Sequence, residues 1–100
     1  MIKTLLLDTV YDSRKSFYGK ATVKMTEDKI TLYSYGTEIV EVDGEKVKAL
    51  WKGWSMTTGR HIKEFFLQFY GIPCNKRLFE KIQDGDVETI EDLRKVVQRK

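Results

Sequence analysis

Cysteine, histidine and proline each occur once in this chain of 100 residues, as Cys74, His61 and Pro73. A single cysteine excludes a disulfide within the chain. One cysteine with one histidine also argues against a zinc site of the usual ligand types. A lone thiol is typical of a reducing compartment, so the sequence predicts a cytoplasmic protein that holds no metal and no cofactor.

Long hydrophobic runs are also missing. The longest one near the start, Leu5–Leu7, is ended by Asp8. A secretory signal needs about 7–15 apolar residues in a row, and a membrane-spanning helix needs roughly 18. We therefore expect neither a signal peptide nor a membrane span.

Catalytic motifs are scarce as well. The one possible Cys–His pair would join Cys74 to His61, and a predicted helix would hold these residues roughly 15–20 Å apart. We therefore expect a buried thiol and a surface or capping imidazole. The sequence contains no Walker loop, no GxGxxG and no GxSxG. A hydrolase or nuclease that uses Asp12 with Glu38 or Glu41 would rest on carboxylates alone, so the chain is predicted not to be an enzyme.

What the chain does contain suits a soluble globular domain: 41% hydrophobic and 33% charged residues, with a net charge of +3. One hundred residues bury roughly 60–68% of their unfolded surface, which is enough for one modest core. We expect a single domain over 1–100. The spacing at which apolar residues recur changes along the chain, from the period of a strand to that of a helix. Residues 1–54 are therefore predicted to be mainly β and residues 57–100 mainly α.

The first half reads as an antiparallel meander. Apolar residues alternate in Ala21–Met25, Ile30–Tyr35 and Ile39–Val42. Gly36 is interpreted as a bulge or bend, and Asp43-Gly44 as a hairpin turn. A return strand through Val47 and Trp51, with Lys3–Val10 as a further edge, gives three to five strands.

The second half has the period of helices. Ile62, Phe65, Phe66 and Phe69 share one helix face, with Thr57 or Thr58 as the predicted cap and Gly71 at the end. Asn75 is predicted to cap a short second helix, and Thr89 a third. The fold class is therefore α+β, with two to three C-terminal helices covering an antiparallel sheet.

Charge is segregated along the chain. Residues 46–63 hold five basic residues and no acidic one, and residues 11–24 hold four basic residues against Asp12. Aromatic side chains lie among these cations, an arrangement that suits a protein interface or single-stranded nucleic acid. The candidate binding residues are Tyr11, Arg14, Lys15, Phe17, Tyr18, Lys20, Lys52, Trp54, Arg60 and Lys63.

A helix-turn-helix made from the last two helices is disfavoured. Its recognition helix would begin at Thr89-Ile90-Glu91-Asp92, preceded by Glu88. Carboxylates at that position would face DNA phosphates with like charge.

Three segments carry a family resemblance: LDTVYDSRKSFYGKA from Leu7, SYGT from Ser34, and TTGRHIKEF from Thr57. Together they resemble a family of small proteins encoded by phages and other mobile elements of Gram-positive bacteria. The resemblance covers roughly residues 5–71 and places the chain in a bacterial host cell. That family has no known function, so the resemblance implies genomic context rather than activity. Trp51-Lys52-Gly53-Trp54 is bulkier than the family pattern, and the part after Pro73 matches less well.

Two functions follow as hypotheses. The first is a non-enzymatic phage or mobile-element accessory protein that binds a host protein or a ribonucleoprotein complex, such as a counter-defence inhibitor of the anti-CRISPR kind. The alternative is direct binding of single-stranded DNA or RNA through Tyr11, Arg14, Lys15, Tyr18, Trp54, Arg60 and Lys63. Spacing alone does not decide whether folding joins the two basic segments, and the oligomeric state is left open.

Overall fold

A computed structural model describes residues 2–12, 16–17 and 19–98. Five strands come first and three helices follow. The strands are β1 (Lys3–Leu6), β2 (Ala21–Met25), β3 (Lys29–Ser34), β4 (Thr37–Asp43) and β5 (Lys46–Ala49), and the helices are α1 (Met56–Tyr70), α2 (Lys76–Gln83) and α3 (Ile90–Gln98). The predicted α+β class is confirmed.

The sheet is an antiparallel meander in which every strand pairs with its neighbours in sequence, in the order β1-β2-β3-β4-β5. Its registry aligns Val23 with Leu32, and Leu32 with Val40. All three side chains are fully buried, because successive residues of a strand point to opposite faces and these lie under the helices. Helix α1 packs on β3, and α2 packs on β5.

The turn between β3 and β4 differs from the prediction. Tyr35 and Gly36 have φ angles of 53° and 81°, and they form a two-residue loop that closes a tight hairpin. Such loops require positive φ at both central residues. Gly36 was interpreted as a bulge or bend because an isolated glycine within a strand pattern often marks one. The actual irregularity lies between Leu32 and Tyr33.

The helix boundaries follow capping chemistry. Ser55, rather than the predicted Thr57 or Thr58, caps α1 by accepting a hydrogen bond from the Thr58 N–H. Gly71 ends α1 at a φ of 68°, as predicted. The predicted cap of α2 is also confirmed, since the Asn75 side chain accepts from the Leu78 N–H.

Within the described ranges, none of the helices has both the length and the apolar character needed to span a lipid bilayer.

Candidate binding surface

Glu64 on α1 is buried, with 1% of its surface exposed, yet it carries a carboxylate. That carboxylate accepts hydrogen bonds from the backbone N–H groups of Val10 at 3.0 Å, Tyr11 at 3.1 Å and Asp12 at 2.9 Å. Successive backbone N–H groups that converge in this way form an anion-binding concavity. The protein fills this concavity with its own side chain, which fixes the loop after β1 against α1.

Two further contacts reinforce this attachment. Gln68 lies one turn after Glu64, and its side-chain amide donates both to the Glu64 carboxylate and to the Asp8 carbonyl oxygen. Arg60 lies one turn before Glu64 and forms an ion pair with Asp12 at 2.9 Å. Residues at i, i+4 and i+8 share a helix face. One face of α1 therefore holds the loop in three places.

Asp8 organises the other end of the same segment. Its carboxylate accepts from the Phe17 and Thr9 N–H groups, both at 2.9 Å, and from the Ser16 hydroxyl at 3.1 Å. The two backbone N–H groups lower the pKa of Asp8 below its usual value, since they favour the ionised form. Asp8 thereby ties Phe17 back to the end of β1.

His61 on α1 is buried, so the prediction of a surface or capping imidazole was wrong. Its Nδ1 lies 2.8 Å from the Ser34 hydroxyl, and that hydroxyl lies 3.0 Å from the Thr58 hydroxyl. The Phe17 ring meets the imidazole edge-on at a centroid distance of 4.5 Å. Burial lowers the pKa of His61, and the nearby Asp12 carboxylate opposes this with a smaller effect. The neutral imidazole is thus part of the folded core.

The lowered pKa of His61 predicts a pH dependence of stability. The unfolded chain binds a proton at about pH 6.5, whereas the folded chain resists protonation until a lower pH. The contribution of His61 to the free energy of unfolding should therefore be fully present above about pH 6.5. As the pH falls below this value, the free energy of unfolding should decrease by at most ~1.4 kcal/mol per pH unit. Urea titrations at pH 7.5 and 5.5 measure this fall. His61→Asn should flatten it, and an equal fall in wild type and variant would contradict the assignment.

Cys74 is buried in the core, as expected for an inert thiol. Burial raises the pKa of its thiol to about 12. The thiolate, which is the reactive form, is therefore disfavoured at neutral pH. Among the described residues, no three His, Cys, Asp or Glu side chains are grouped so that they could hold a metal ion.

Two clefts open on either side of Arg60, which lines both. The first has a volume of about 250 Å³ and is lined by Tyr11, Asp12, Arg60, Lys63, Glu64 and Leu67. The second has a volume of about 170 Å³ and is lined by Ser16, Phe17, Lys20, Tyr35, Thr57, Arg60 and His61. We call the tyrosine, lysine and arginine side chains that line these clefts the composite surface: Tyr11, Lys20, Tyr35, Arg60 and Lys63.

Folding brings together four of the predicted binding residues: Tyr11, Lys20, Arg60 and Lys63. The prediction that Phe17 is a binding residue was wrong, because its side chain is 5% exposed and packs on His61 inside the core. Arg14, Lys15 and Tyr18 lie outside the described residues.

The remaining two predicted residues lie elsewhere. Lys52 is exposed but lines neither cleft. Trp54 is half-buried, and its ring lies 6.0 Å from the Phe79 ring and against the backbone of Gly59. Its indole therefore serves packing more than recognition.

Two residues of the site were not predicted from the sequence. Tyr35 is 59% exposed and is the one non-glycine residue in the described ranges with positive φ. Glu64 was missed because its partners are backbone N–H groups 52–54 residues away, which leave no side-chain pattern. A carboxylate placed between the apolar residues Ile62 and Phe65 was the available signal.

A model described as a family of unknown function (DUF8033) matches residues 6–81. No curated protein and no solved structure matches the chain. The matched range contains the loop after β1 and the whole of α1, and it leaves out α3.

Proposed function

The chain belongs to the family of unknown function DUF8033, and the matched residues include the whole composite surface. From this premise we propose that the chain is a non-enzymatic binding module. The partner is a host protein or a protein–nucleic acid complex. The observation that carries the proposal is that Glu64 joins the loop after β1 to α1, two segments that are distant in sequence. This junction displays tyrosine and cationic side chains together.

The exposed side chains have the chemistry of an interface. Tyr11 is 62% exposed and Tyr35 is 59% exposed. Tyrosine and arginine are enriched among the residues that dominate protein binding energies. Lys20 and Lys63 form no ion pair with any described residue, so their charges are available to an acidic partner.

The conformation of Tyr35 supports the same assignment. A non-glycine residue at positive φ costs of order 1–3 kcal/mol, and such strain is concentrated at functional sites. The hairpin turn would form more easily with asparagine or glycine at this position. Tyr35 is instead displayed at the rim of the second cleft, beside His61 at a centroid distance of 5.9 Å.

The carboxylates near the surface already have partners, which supports a non-enzymatic role. Glu64 is held by the loop backbone, and Asp12 is paired with Arg60. The carboxylates that were considered as partners for Asp12 have other contacts: Glu38 accepts from the Tyr33 hydroxyl and Glu41 pairs with Lys29. A hydrolase or nuclease that uses Asp12 with Glu38 or Glu41 would need Asp12 and one of these two carboxylates to meet at a substrate.

The biological setting of the proposal rests on the resemblance to proteins of phages and mobile elements. In that setting, a small domain that binds a host complex fits a counter-defence inhibitor of the anti-CRISPR kind. The sequence resemblance alone supports this finer assignment.

A test of the proposal compares two matched double variants. Tyr11→Ala with Lys63→Ala alters the composite surface. The control pair, Tyr33→Ala with Lys48→Ala, also removes one tyrosine and one lysine side chain, but from the face of the sheet opposite the helices. The proposal expects at least about a tenfold loss of partner recovered from bacterial lysate for the first pair only, since interface anchors contribute more than 1 kcal/mol each. Equal recovery with both pairs would contradict it.

Direct binding of single-stranded nucleic acid is the second candidate. The observation that favours it is the second cleft, where no described lining residue is acidic while Lys20, Arg60 and Tyr35 are present. Bases stack on aromatic rings and cations follow phosphates. Fluorescence anisotropy of a labelled thymidine oligonucleotide should then show binding that weakens steeply with salt and is reduced by Lys20→Ala. No change in anisotropy at low salt would exclude this candidate.

A further inference from the structure

The two edges of the sheet are treated differently. Beyond β5, the segment before α3 closes the edge: the Val47 N–H donates to the Glu88 carbonyl at 2.9 Å, and the Ile90 N–H donates to the Glu45 carbonyl at 2.8 Å. At the opposite edge, β1 pairs with β2 and with no other strand of the described chain. An unpaired edge strand is a template for a further strand.

The backbone groups that β1 offers can be identified from its pairing. The Leu7 N–H donates to the Ala21 carbonyl at 2.9 Å, toward β2. Alternate residues of an antiparallel strand direct their N–H and C=O groups to the same side. Lys3 and Leu5 therefore also point toward β2, while Thr4 and Leu6 direct theirs to the open edge.

Two apolar side chains at this edge are exposed. Leu6 is 72% exposed and Ile2 is 64% exposed. After Leu7, Asp8 and Thr9 the chain reaches Val10, which is 67% exposed, and Tyr11 of the composite surface. Clusters of exposed apolar residues are typical of an interaction site.

The charge of the edge selects the kind of strand that it can accept. Strands β1 and β2 carry Lys3 and Lys24 and no acidic residue. Lysine on an edge strand is a common means of preventing association between copies of a chain, and Lys3 lies on β1. A strand that carries carboxylates would be attracted instead.

We propose that β1 is a strand-addition site for an extended segment of a protein partner, in which apolar residues alternate with Asp or Glu. That segment becomes the sixth strand of the sheet, and its side chains contact Leu6 and Ile2. The inference rests on the proposed function in one respect, namely that the partner is a protein. It extends the same interface from Tyr11 onto the sheet edge.

The experiment uses the full chain labelled with ¹⁵N and a capped six-residue peptide in which Glu and Val alternate. At low-millimolar peptide, the Thr4 and Leu6 amides should shift, and their hydrogen exchange should slow by at least about fivefold, because both donors become bonded. A peptide in which Lys and Val alternate should leave them unchanged. Absence of protection with the Glu peptide, or equal protection with the Lys peptide, would overturn the proposal.

Two variants locate the contact. Thr4→Pro removes one outward N–H while leaving the bonds to β2, so it should abolish protection of Leu6, whereas Thr4→Ala should preserve it. Leu6→Glu keeps the N–H of residue 6 and adds a negative charge, the same sign as the Glu side chains of the peptide. It should therefore weaken peptide binding at least about fivefold, and this test holds even if the proline variant folds poorly. Protection that increases with protein concentration without peptide would show that a second copy occupies the edge, and would overturn the proposal.

This result is separable from the proposed function. The double variant Tyr11→Ala with Lys63→Ala leaves the β1 backbone intact, so peptide binding should survive in it. Loss of lysate recovery in that variant with no peptide binding in wild type would leave the binding module standing and remove the strand-addition site.

Discussion

Replacement of Glu64 by alanine should lower the free energy of unfolding by about 3 kcal/mol, since each hydrogen bond to a charged group contributes about 1.5–3 kcal/mol and the freed loop can regain part of this from water. For a domain of this size, that corresponds to a fall in melting temperature of roughly 12–24 °C. The physical reason is the loss of the carboxylate that accepts from Val10, Tyr11 and Asp12. Glu64→Gln keeps one acceptor oxygen and should cost less.

Thermal and urea unfolding measure this effect, and Glu80→Ala on the exposed face of α2 is the matched control. A surface change of that kind should stay within about 0.5 kcal/mol. Hydrogen exchange adds a local readout, because the amides of residues 10–12 should exchange faster in the Glu64 variant. A Glu64→Ala protein as stable as the control, with these amides still protected, would show that Glu64 does not hold the loop.

Gly59→Ala should destabilise the protein by about 1–3 kcal/mol, although the same change within an exposed helix stabilises by about 1 kcal/mol. The reason is the Trp54 indole: a Cβ at position 59 would lie 2.8 Å from its Cε2 and closer still to its Cζ2. The ring is in turn held against Phe79. Either the helix or the indole must move.

A double-mutant cycle isolates this contact. With Trp54→Ala already present, the obstacle is gone, and adding Gly59→Ala should stabilise by up to about 1 kcal/mol. Urea titration of the four proteins gives the coupling. Destabilisation of the same size in both backgrounds would place the cost elsewhere in the helix.

Local structure could largely be predicted from the sequence, because periodicity and capping are local signals. The alternation in Ala21–Met25 and the helical spacing of Ile62, Phe65 and Phe66 indicated elements that the structure contains. Two exceptions were the cap of α1, which is Ser55, and the Tyr35-Gly36 hairpin, where the strained tyrosine goes against the usual turn chemistry. Strain of this kind is imposed by the rest of the fold and leaves no trace in residue preferences.

The candidate site could be predicted only in part, because burial depends on tertiary packing. Phe17 lies in a basic segment and looked like a contact residue, but His61 packs on its ring and removes it from the surface. The two basic segments do meet, through Lys20 from one and Arg60 and Lys63 from the other. Lys52 lies outside both clefts, so the charge pattern overstated the extent of the surface.

We expect the composite surface, fixed by Glu64, to bind a protein partner. The most direct measurement places the photo-crosslinker benzoylphenylalanine at Tyr11 or, as a control, at Tyr33 on the opposite face of the sheet, in the full chain expressed in bacterial cells. We expect one dominant protein adduct from position 11 that survives nuclease digestion, is absent from position 33, and is lost when Glu64→Ala is added. Identical adducts from both positions, or adducts from position 33 alone, would show that the composite surface is not the binding site.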